Sequence, residues 1–474
     1  MVYHYVTNFF NYGIFIYAMT IMSAYLVLAY VSLRSIRNYI KHYNNTYFDN
    51  ILRSPLAPSI SIIAPAYNES LSIVDNIRSL LSLHYNNYEI VIVNDGSKDN
   101  TLQRMIEAYS LVPVQNIVLD EIPHKQVRGV YESTNPAFKK LKVIDKENGG
   151  KSDALNAGIS YASSELVACI DVDCVIEDDA LLRMVKPYLE ETRRKVVAVG
   201  GVVRIANDCV IRDGRLMEVR LARKWLPTFQ TLEYIRAFLL GRMAWGQLNG
   251  LLIISGAFGL FDRKLVLEVG GYDTRTVGED MELVVRMRKY VADQGISYKV
   301  AYVPDPLCWT EAPDTLSVFQ KQRNRWTRGT IETLRAHKEV MFKRKYGLMG
   351  MLSYPFWLLY EWLAPLIEFF GLIYFAVLAC LGWINWQHFT ILLVLVYTFA
   401  VFISWLSLLI EEMTYREYSG GWALLKLLLA ALLEPIFYHP ITVWAAVMGN
   451  YDKFVRKKKT WGEQVRKGFT SSSM

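Results

Sequence analysis

Several stretches of the chain are apolar for long enough to cross a bilayer as helices. Residues 12–33 and 389–410 are each 22 residues without a charge, about 33 Å of helix at 1.5 Å per residue. Residues 427–449 form a third run, interrupted by Glu434-Pro435 and His439-Pro440. The pattern predicts three membrane spans. The first stays as an anchor, because no basic segment of a signal peptide precedes it.

The charged residues that flank these runs restrict the number of crossings. Lys343-Arg344-Lys345 and the basic residues of 453–459 both favour the cytosolic side, which requires an even number of crossings between them. The apolar stretch 348–386 forms one long span, a re-entrant piece plus a span, or a tight pair. Either that stretch crosses twice or one of the three runs does not cross.

Four ionisable residues lie at membrane depth. They are Glu361, Glu368, Glu434 and His439. Polar side chains at this depth face a protein interior or a wet path. Two interpretations stay open: the four residues line a polar conduit, or they occupy helix ends and helix-packing positions.

Between residues 54 and 344 the pattern changes to short β-branched runs separated by polar helical stretches. This alternation predicts an α/β domain with a mainly parallel sheet covered on both faces. The predicted strands are 60–63, 89–93, 141–143, 166–170 and 196–199, and the predicted helices include 69–83 and 100–109. Residues 227–248 carry apolar side chains near helical spacing, which suits an amphipathic helix on the membrane or core packing equally.

Composition narrows the class of protein. Hydrophobic residues make up 52% of the chain, which agrees with a part that lies in lipid. The net charge of +7 suits an anionic membrane surface or an anionic substrate as well as nucleic acid. The five cysteines form no CxxC pair and no zinc-like grouping, so we expect reduced core thiols in a protein that faces a cytosol.

Polar motifs follow four of the predicted strands. They are Pro65-Ala-Tyr-Asn-Glu69, Asn94-Asp-Gly-Ser97, Asn148-Gly-Gly-Lys-Ser152 and Asp171-Val-Asp173. Ligands of open α/β sheets bind beyond the carboxyl ends of the strands, so the four turns predict one crevice. No GxGxxG opens the first crossover, and Asp145 stands where a P-loop needs glycine. Two carboxylates one residue apart can share a hard divalent cation, which then neutralises a diphosphate.

Six ordered motifs carry a resemblance to a known family. The four above, extended to Asn148-Gly-Gly-Lys-Ser-Asp-Ala-Leu-Asn156, are followed by Gly278-Glu-Asp280 and Gln322-Arg-Asn-Arg-Trp326. This order resembles membrane-embedded, processive family 2 glycosyltransferases: poly-N-acetylglucosamine, chitin-oligosaccharide and hyaluronan synthases, and more distantly cellulose synthases. The resemblance spans about residues 59–326, and Q-x-x-R-W is specific to this group.

The resemblance implies a fold and a domain organisation. It implies a cytosolic GT-A domain, which is an α/β nucleotide-diphospho-sugar transferase domain with a mostly parallel sheet, plus transmembrane and interfacial helices. We assign residues 1–53 to an N-terminal anchor and linker, and 54–344 to the GT-A domain. Residues 345–452 form a C-terminal transmembrane bundle, and 453–474 form a basic tail of cytosolic type.

The resemblance also assigns roles to residues. Ala66, Glu69 and Asp95 would contact the nucleotide, Asp95 at the uracil or ribose. Lys151 would contact the diphosphate, and Asp173, with Asp171 beside it, would bind Mg²⁺ or Mn²⁺ on that diphosphate. The strand that ends at Asp171 would then deliver a metal site to the crevice, although a helix cap is the alternative interpretation.

Two further motifs would supply the base and the acceptor site. Asp280, beside Glu279, matches the general base of the family's T-E-D motif, in which Gly278 replaces the frequent Thr; a surface acidic turn is the alternative. Gln322, Arg325 and Trp326 would close over the pyrophosphate and place an indole beneath the acceptor sugar. Ser255 and Gly256 lie where relatives present an acceptor-side turn, although a plain buried strand fits as well.

The resulting expectation is a membrane-bound polysaccharide synthase. It would transfer sugar with inversion from a UDP-sugar, which we expect to be UDP-N-acetylglucosamine, to a growing β-linked chain exported through its helices. Its partners would be the donor, the polymer, the lipid bilayer and an accessory export subunit, with no nucleic acid. It would be a multi-pass protein of the plasma membrane. The alternatives are a non-processive transferase that glycosylates a lipid carrier and an inactive membrane scaffold.

Overall fold

The computed structural model describes residues 2–43, 48–115, 121–418 and 420–457. Most of the predicted basic tail therefore lies outside the described residues, as does the end of the 453–459 cluster. Within the described ranges, an α/β domain with one large sheet packs against long apolar helices. The domain boundaries predicted at residues 53, 344 and 452 stay predictions.

The large sheet has ten strands, and a two-stranded hairpin lies beside it. In chain order the strands are β1 (Ile60–Ala66), β2 (Tyr88–Asp95), β3 (Leu111–Val114), β4 (Val127–Ser133), β5 (Leu141–Lys146), β6 (Leu166–Ile170), β7 (Val175–Ile176), β8 (Lys195–Ile205), β9 (Val210–Arg212), β10 (Arg215–Glu218), β11 (Phe258–Asp262) and β12 (Tyr298–Thr310). The sheet order is β3-β4-β5-β2-β1-β6-β11-β8-β12-β7, and β9 pairs with β10.

Parallel pairing joins the strands that carry the predicted motifs. It connects β5, β2, β1 and β6, and it joins β8 to β12. Between these blocks β11 runs antiparallel to both β6 and β8. The five predicted strands are confirmed as β1, β2, β5, β6 and β8, and the prediction of a parallel core holds within a mixed sheet.

Helices cover both faces of the sheet and continue into the apolar segments. They are α1 (Val2–Tyr43), α2 (Phe48–Arg53), α3 (Ile73–Leu81), α4 (Thr101–Tyr109), α5 (Lys151–Tyr161), α6 (Ala180–Glu190), α7 (Trp225–Ile235), α8 (Met243–Gln247), α9 (Arg263–Glu268), α10 (Glu279–Asp293), α11 (Leu316–Ala336), α12 (Tyr354–Phe356), α13 (Ala364–Cys380), α14 (Trp386–Thr414), α15 (Gly421–Leu433) and α16 (His439–Phe454). The helix predicted from residue 69 begins at Ile73, because Asn68 has a positive φ and the chain turns at Glu69 before entering the helix.

The predicted helix 227–248 packs inside the protein. It consists of α7, a π-helical segment (Arg236–Arg242) and α8. Its apolar residues Phe229, Leu232, Ile235 and Leu239 are all buried, and α7 and the π segment contact β8 and α14. The core-packing interpretation is therefore confirmed for these four side chains.

Among the residues that the structure describes, four helical segments are long and apolar enough to cross a membrane: Phe10–Lys41, Met349–Cys380, Trp386–Thr414 and Gly421–Phe454. They contain the three predicted runs, and Met349–Cys380 covers most of the ambiguous stretch 348–386. Within Met349–Cys380, π-helical segments (Met349–Ser353 and Trp357–Trp362) precede α13, which has a proline in its first turn. A π-helical segment (Glu434–Tyr438) likewise interrupts the last apolar segment between α15 and α16.

The last apolar segment touches the α/β domain at both ends. Near its start, Lys426 Nζ donates to the carbonyl oxygens of Ala222 and Arg223 at 2.7 and 2.8 Å. Near its end, Lys453 Nζ lies 2.6 Å from Glu332 Oε1. Residues 421–454 therefore contact the α/β domain near both of their ends.

The other apolar helices extend away from the domain. The hydroxyl of Ser32, near the end of α1, bonds to the carbonyl of Leu239, whereas Asn11, near its start, accepts from Tyr374 in α13 at 3.2 Å. Helix α14 returns to the domain, where Glu411 forms a buried ion pair with Arg204. Helices α13 and α14 thus form a hairpin that leaves the domain and comes back to it.

The five cysteines are free thiols. Cys169, Cys174 and Cys308 are buried, as predicted, and Cys209 is partly buried. Cys380 is exposed at the end of α13, because it lies on the outward face of an apolar helix. The prediction of a core thiol is therefore wrong at that position.

Candidate active site

A buried lysine and Asp95 organise the loop that follows β5. Asp95 closes β2, and its two carboxylate oxygens accept from the backbone N–H of Gly149 and Gly150 at 3.0 and 2.8 Å. Lys146 Nζ, at the end of β5, lies 2.7 Å from the same carboxylate, and its side chain is fully buried. The carboxylate of Asp95 therefore holds the glycine turn that precedes α5, and a contact with a nucleotide stays a prediction.

This turn delivers Lys151 to the carboxyl ends of the strands. Lys151 is the first residue of α5, and its Nζ lies 2.5 Å from Asp171 Oδ1 and 3.1 Å from the carbonyl oxygen of Gly256. Burial lowers the pKa of Lys151, but Asp171 and Glu279 outweigh burial and hold the pKa above its usual value. Lys151 is therefore a fixed cation within a cluster of carboxylates.

The predicted metal ligands come together at the end of β6. One ligand atom each from Asp171, Asp173 and Cys174 lie within 4.8 Å of one another. Carboxylate oxygens suit Mg²⁺ and Mn²⁺, whereas a thiol is a softer ligand. Cys174 is buried, whereas the two aspartates are half-buried. The two aspartates therefore fit a hard divalent cation better than the cysteine does.

The predicted base lies opposite Lys151 at the start of α10. Asp280 Oδ2 accepts from the backbone N–H of Gly256 at 3.3 Å, and its Oδ1 accepts from the N–H of Met281 at 2.8 Å. Burial raises the pKa of the neighbouring Glu279 to about 7, while Lys151 opposes that rise. Three carboxylates, those of Asp171, Glu279 and Asp280, thus surround one lysine.

The loop before the base packs directly on α11. A Cβ built at Gly278 would lie 2.6 Å from the Cα of Gly329, and a Cβ at Gly329 would lie equally close to Gly278. Two glycines therefore allow the loop that carries the predicted base to touch the helix that carries Gln322 and Trp326. Because a side chain at position 278 would collide with Gly329, this contact explains why glycine stands where the family pattern frequently has threonine.

Helix α11 presents the predicted Q-x-x-R-W side chains to the same cavity. Gln322, Arg325 and Trp326 all line it, and the Oε1 atom of Gln322 is buried without a hydrogen-bond partner among the described residues. The indole of Trp326 is 38% exposed and carries the guanidinium of Arg323 4.1 Å above its ring centroid. One face of the ring therefore packs on a cation of its own helix.

The remaining predicted residues differ in their positions. Ser255 and Gly256 lie in an irregular stretch and a turn before β11, so the buried-strand alternative is wrong for them, and both line the cavity. Ala66 is fully buried as the last residue of β1. Glu69 begins the turn into α3, where its side chain accepts from the hydroxyl of Ser72 at 3.0 Å.

A cavity of about 520 Å³ continues from these residues to the apolar helices. Beyond the carboxylates around Lys151 it is lined by Glu233, Arg236, Arg242, Glu361 and His439. Several of these charges are paired: Arg236 lies 2.6 Å from Glu434, and Arg323 lies 2.7 Å from Glu233. Ion pairs therefore extend the polar surface of the site toward α13 and α16.

The two interpretations of the four charges that were predicted at membrane depth each hold for part of the set. Glu361 and His439 line the cavity, as the conduit interpretation predicts. Glu434 is buried in its pair with Arg236 and accepts from Ser404 at 3.2 Å, which is a packing role. Glu368 lies 2.9 Å from His439 and joins α13 to α16.

Sequence reasoning missed several residues that shape the site. Lys146 lies in a charged stretch that suits a solvated strand end, yet it is fully buried. Arg323 stands inside the Q-x-x-R-W motif but between its recognised letters, and Glu332 lies one turn after Arg328 on α11. The position of Arg323 within the Q-x-x-R-W motif could have indicated that it lies at the site. The sequence around Glu332 contains no comparable indication.

Comparison with known proteins agrees with this geometry. The model "Glycosyl transferase family 2" matches residues 61–266, and "Glycosyl transferase family group 2" matches residues 166–404, about half of the chain. A poly-beta-1,6-N-acetyl-D-glucosamine synthase of Staphylococcus epidermidis is 33% identical over 279 residues, which are 58% of this chain and 55% of that protein. The enzyme of the same name from Staphylococcus aureus is 32% identical over 277 residues, again 58% of this chain and 55% of that protein. The match therefore spans about half the length of these relatives.

Among solved structures, a mannosyltransferase from Pyrobaculum calidifontis in complex with GDP-Man and Mn²⁺ is 17% identical. The likeness covers 88% of this chain and 99% of that chain, with a TM-score of 0.47. The α/β domain, with its mixed and mostly parallel sheet beside apolar helices, has the GT-A architecture that the resemblance implied. The family matches and the motifs at the carboxyl ends of the strands together show that the chain belongs to glycosyl transferase family 2.

Proposed function

We propose that the protein transfers a sugar from a UDP-sugar to the end of a growing β-linked polysaccharide, with inversion at the anomeric carbon. The observation that carries the proposal is one cavity in which Lys151, Asp280 and Trp326 meet, and which continues along Glu361 and His439 between the apolar helices. A site for a single soluble acceptor does not need such an extension. A growing polymer does need one.

The residues divide the chemistry among themselves. Lys151 binds the departing diphosphate, and Asp280 takes the proton of the acceptor hydroxyl as the new bond forms. Asp171 and Asp173 would hold Mg²⁺ or Mn²⁺, which supplies positive charge to the diphosphate when bound. Arg325 grips phosphate oxygens, and Trp326 packs against the acceptor ring. Direct displacement by one base, without an enzyme nucleophile, inverts the configuration.

The donor in this proposal is UDP-N-acetylglucosamine. The printed names of the two staphylococcal relatives, poly-beta-1,6-N-acetyl-D-glucosamine synthases, support this choice. Discrimination between this donor and UDP-glucose rests on a few hydrogen bonds to the acetamido group. The polymer, the lipid bilayer and an accessory export subunit complete the proposed partners.

The membrane arrangement in this proposal has the α/β domain in the cytosol of a multi-pass plasma-membrane protein. Helices α1, α13 and α14 cross, while residues 421–454 lie along the membrane surface. The contacts of Lys426 and Lys453 with the α/β domain at the two ends of that segment support this arrangement. Two crossings between residues 345 and 453 then keep both basic clusters on the cytosolic side.

The test is UDP release by the purified full chain in nanodiscs, with a panel of UDP-sugars, with Mg²⁺ or Mn²⁺ or with a chelator. Asp280→Asn removes the base, and Asp293→Asn, at the far end of the same helix, is the matched control. We expect metal-dependent turnover of one donor, a long product and a silent Asp280→Asn variant. Free sugar or a single-sugar lipid would instead indicate the non-processive transferase, and silence on every donor would indicate the scaffold.

A further inference from the structure

The loop that carries the base is held by a single carboxylate on α11. Glu332 Oε2 accepts from the hydroxyl of Thr276 at 2.8 Å and from the backbone N–H of Val277 at 2.9 Å. The Thr276 hydroxyl in turn accepts from the N–H of Gly278 at 3.1 Å. Three consecutive residues before Glu279 and Asp280 are thus fixed to Glu332, directly or through one hydroxyl.

The other oxygen of the same carboxylate connects this loop to α16. Lys453 Nζ lies 2.6 Å from Glu332 Oε1, and the side chains are only 27% and 14% exposed. Burial raises the pKa of Glu332, but the bonds from Lys453, Val277 and Thr276 outweigh it and hold the pKa below the usual value. The carboxylate is therefore ionised at neutral pH, and both of its oxygens accept hydrogen bonds.

Helix α16 lies firmly against α11 at this point. A Cβ at Gly449 would meet Thr327 at 2.9 Å and the carbonyl oxygen of Asn324 at 3.0 Å. Asn324 also donates to Asp452 at 3.1 Å. One turn or more earlier, Thr442 and Ala446 of α16 line the cavity that continues from the active site. Lys453 and Glu332 therefore connect α16 to the loop that precedes Asp280.

We propose that Glu332 is a positioning residue that couples the cavity-lining helix α16 to the loop carrying Asp280. It touches neither the donor nor the acceptor site; it fixes where the base stands relative to Lys151 and Gly256. An acceptor polymer that occupies the cavity beside α16 then stabilises the base in its working position. The inference rests on the proposed transferase function, because the base position matters only if Asp280 takes a proton.

The chain offers a matched control for substitutions of Glu332. Glu89, at the opposite end of the parallel strands, accepts from the backbone N–H of Ser163 at 2.7 Å and from the hydroxyls of Ser61 and Ser163 at 2.6 and 2.9 Å. It also lies 3.8 Å from Lys142. Its bonds resemble those of Glu332, but they hold a loop far from the carboxyl ends of the strands.

The experiment compares Glu332→Ala, Glu332→Gln, Lys453→Met and Glu89→Gln in the full chain. Turnover is measured by UDP release, UDP affinity by calorimetry, and loop order by hydrogen exchange of the amides of residues 276–281. A misplacement of about 1 Å at a reacting group costs up to about 100-fold in rate. We expect Glu332→Ala to lower kcat at least tenfold with donor KM and UDP affinity within twofold, and to speed exchange at 276–281.

The other variants separate positioning from general stability. Glu332→Gln keeps an acceptor for Thr276 and Val277 and should retain more activity than Glu332→Ala, and Lys453→Met should lie between Glu332→Gln and the wild type. Glu89→Gln should lower the melting temperature without changing kcat more than about twofold. Parallel losses of kcat, UDP affinity and melting temperature in Glu332→Ala, or unchanged exchange at 276–281, would overturn the proposal. A wild type silent on every donor would instead remove the proposed function, while the exchange measurement still tests the coupling.

Discussion

The contact between Gly278 and Gly329 allows a sharp test of how the loop that carries Asp280, the proposed base, is held. The perturbation is Gly329→Ala, which adds one methyl group on α11. That methyl would lie 2.6 Å from the Cα of Gly278, and ordinary contact begins at 3.4 Å. The loop or the helix must therefore separate by about 0.8 Å, which is 3.4 minus 2.6, because both partners are backbone atoms.

The magnitude follows from two opposing terms. Overpacking of this kind costs about 1–3 kcal/mol, whereas alanine is better than glycine in a helix by about 1 kcal/mol. The net loss of stability is therefore about 0–2 kcal/mol. The displacement of Asp280, which stands two residues after Gly278, is the larger effect, since about 1 Å of misplacement costs about 100-fold in rate.

The assay is steady-state UDP release by wild type and variant at saturating donor, with UDP affinity measured separately. Gly371→Ala is the matched control, because it is also a helical glycine and its Cβ meets only the Ile14 side chain at 3.9 Å. We expect kcat to fall by about 30- to 100-fold in Gly329→Ala, with UDP affinity unchanged, and no loss in Gly371→Ala. A Gly329→Ala variant with wild-type kcat would refute the reasoning, because it would show that the close contact does not set the base position.

Two further predictions concern Lys151 in the candidate site and the buried ion pair of Arg236 with Glu434. Lys151→Met removes the cation 2.5 Å from Asp171 and should weaken UDP binding about 10- to 100-fold, since hydrogen bonds to charged groups contribute about 1.5–3 kcal/mol. Calorimetry measures the UDP affinity. The control Lys264→Met, at an 83% exposed side chain, should leave that affinity unchanged. Arg236→Met leaves Glu434 buried without its cation and should destabilise the protein by about 3–5 kcal/mol. Thermal unfolding in detergent measures this loss of stability, and the double change Arg236→Met with Glu434→Met should largely reverse it. The control is Arg275→Met, which breaks an exposed ion pair. Equal melting temperatures for Arg236→Met and Arg275→Met would contradict the argument.

The central strands were predictable from sequence because they are buried on both faces and therefore read as continuous apolar runs. Strands β1, β2, β5, β6 and β8 all have this character. Strand β12 was not predicted. It contains Pro304 and Pro306, which argue against a strand, and the structure accommodates them with register shifts between Val303 and Cys308.

The residues of the candidate site were predictable where they belong to a recognisable sequence motif. Lys151, Asp171 and Asp280 converge as expected because their turns follow strands of one sheet and one helix facing it. The residues that hold them were not predictable. A buried Lys146 resembles a solvated lysine in sequence, and Glu332 resembles any glutamate on a helix surface. Their roles depend on contacts between segments more than 50 residues apart.

The attachment of residues 421–454 at both ends has a consequence for how the protein is made. This segment has a mean hydropathy of 1.5 over its most apolar window and is long and apolar enough to cross a membrane. Lys426 and Lys453 hold it to partners synthesised earlier, the carbonyls of Ala222 and Arg223 and the carboxylate of Glu332. In the proposed arrangement, in which residues 421–454 lie along the membrane surface, these contacts compete with insertion of the segment into the bilayer. A substitution that slows folding of the α/β domain would then favour insertion, because the partners of Lys426 and Lys453 would form too late.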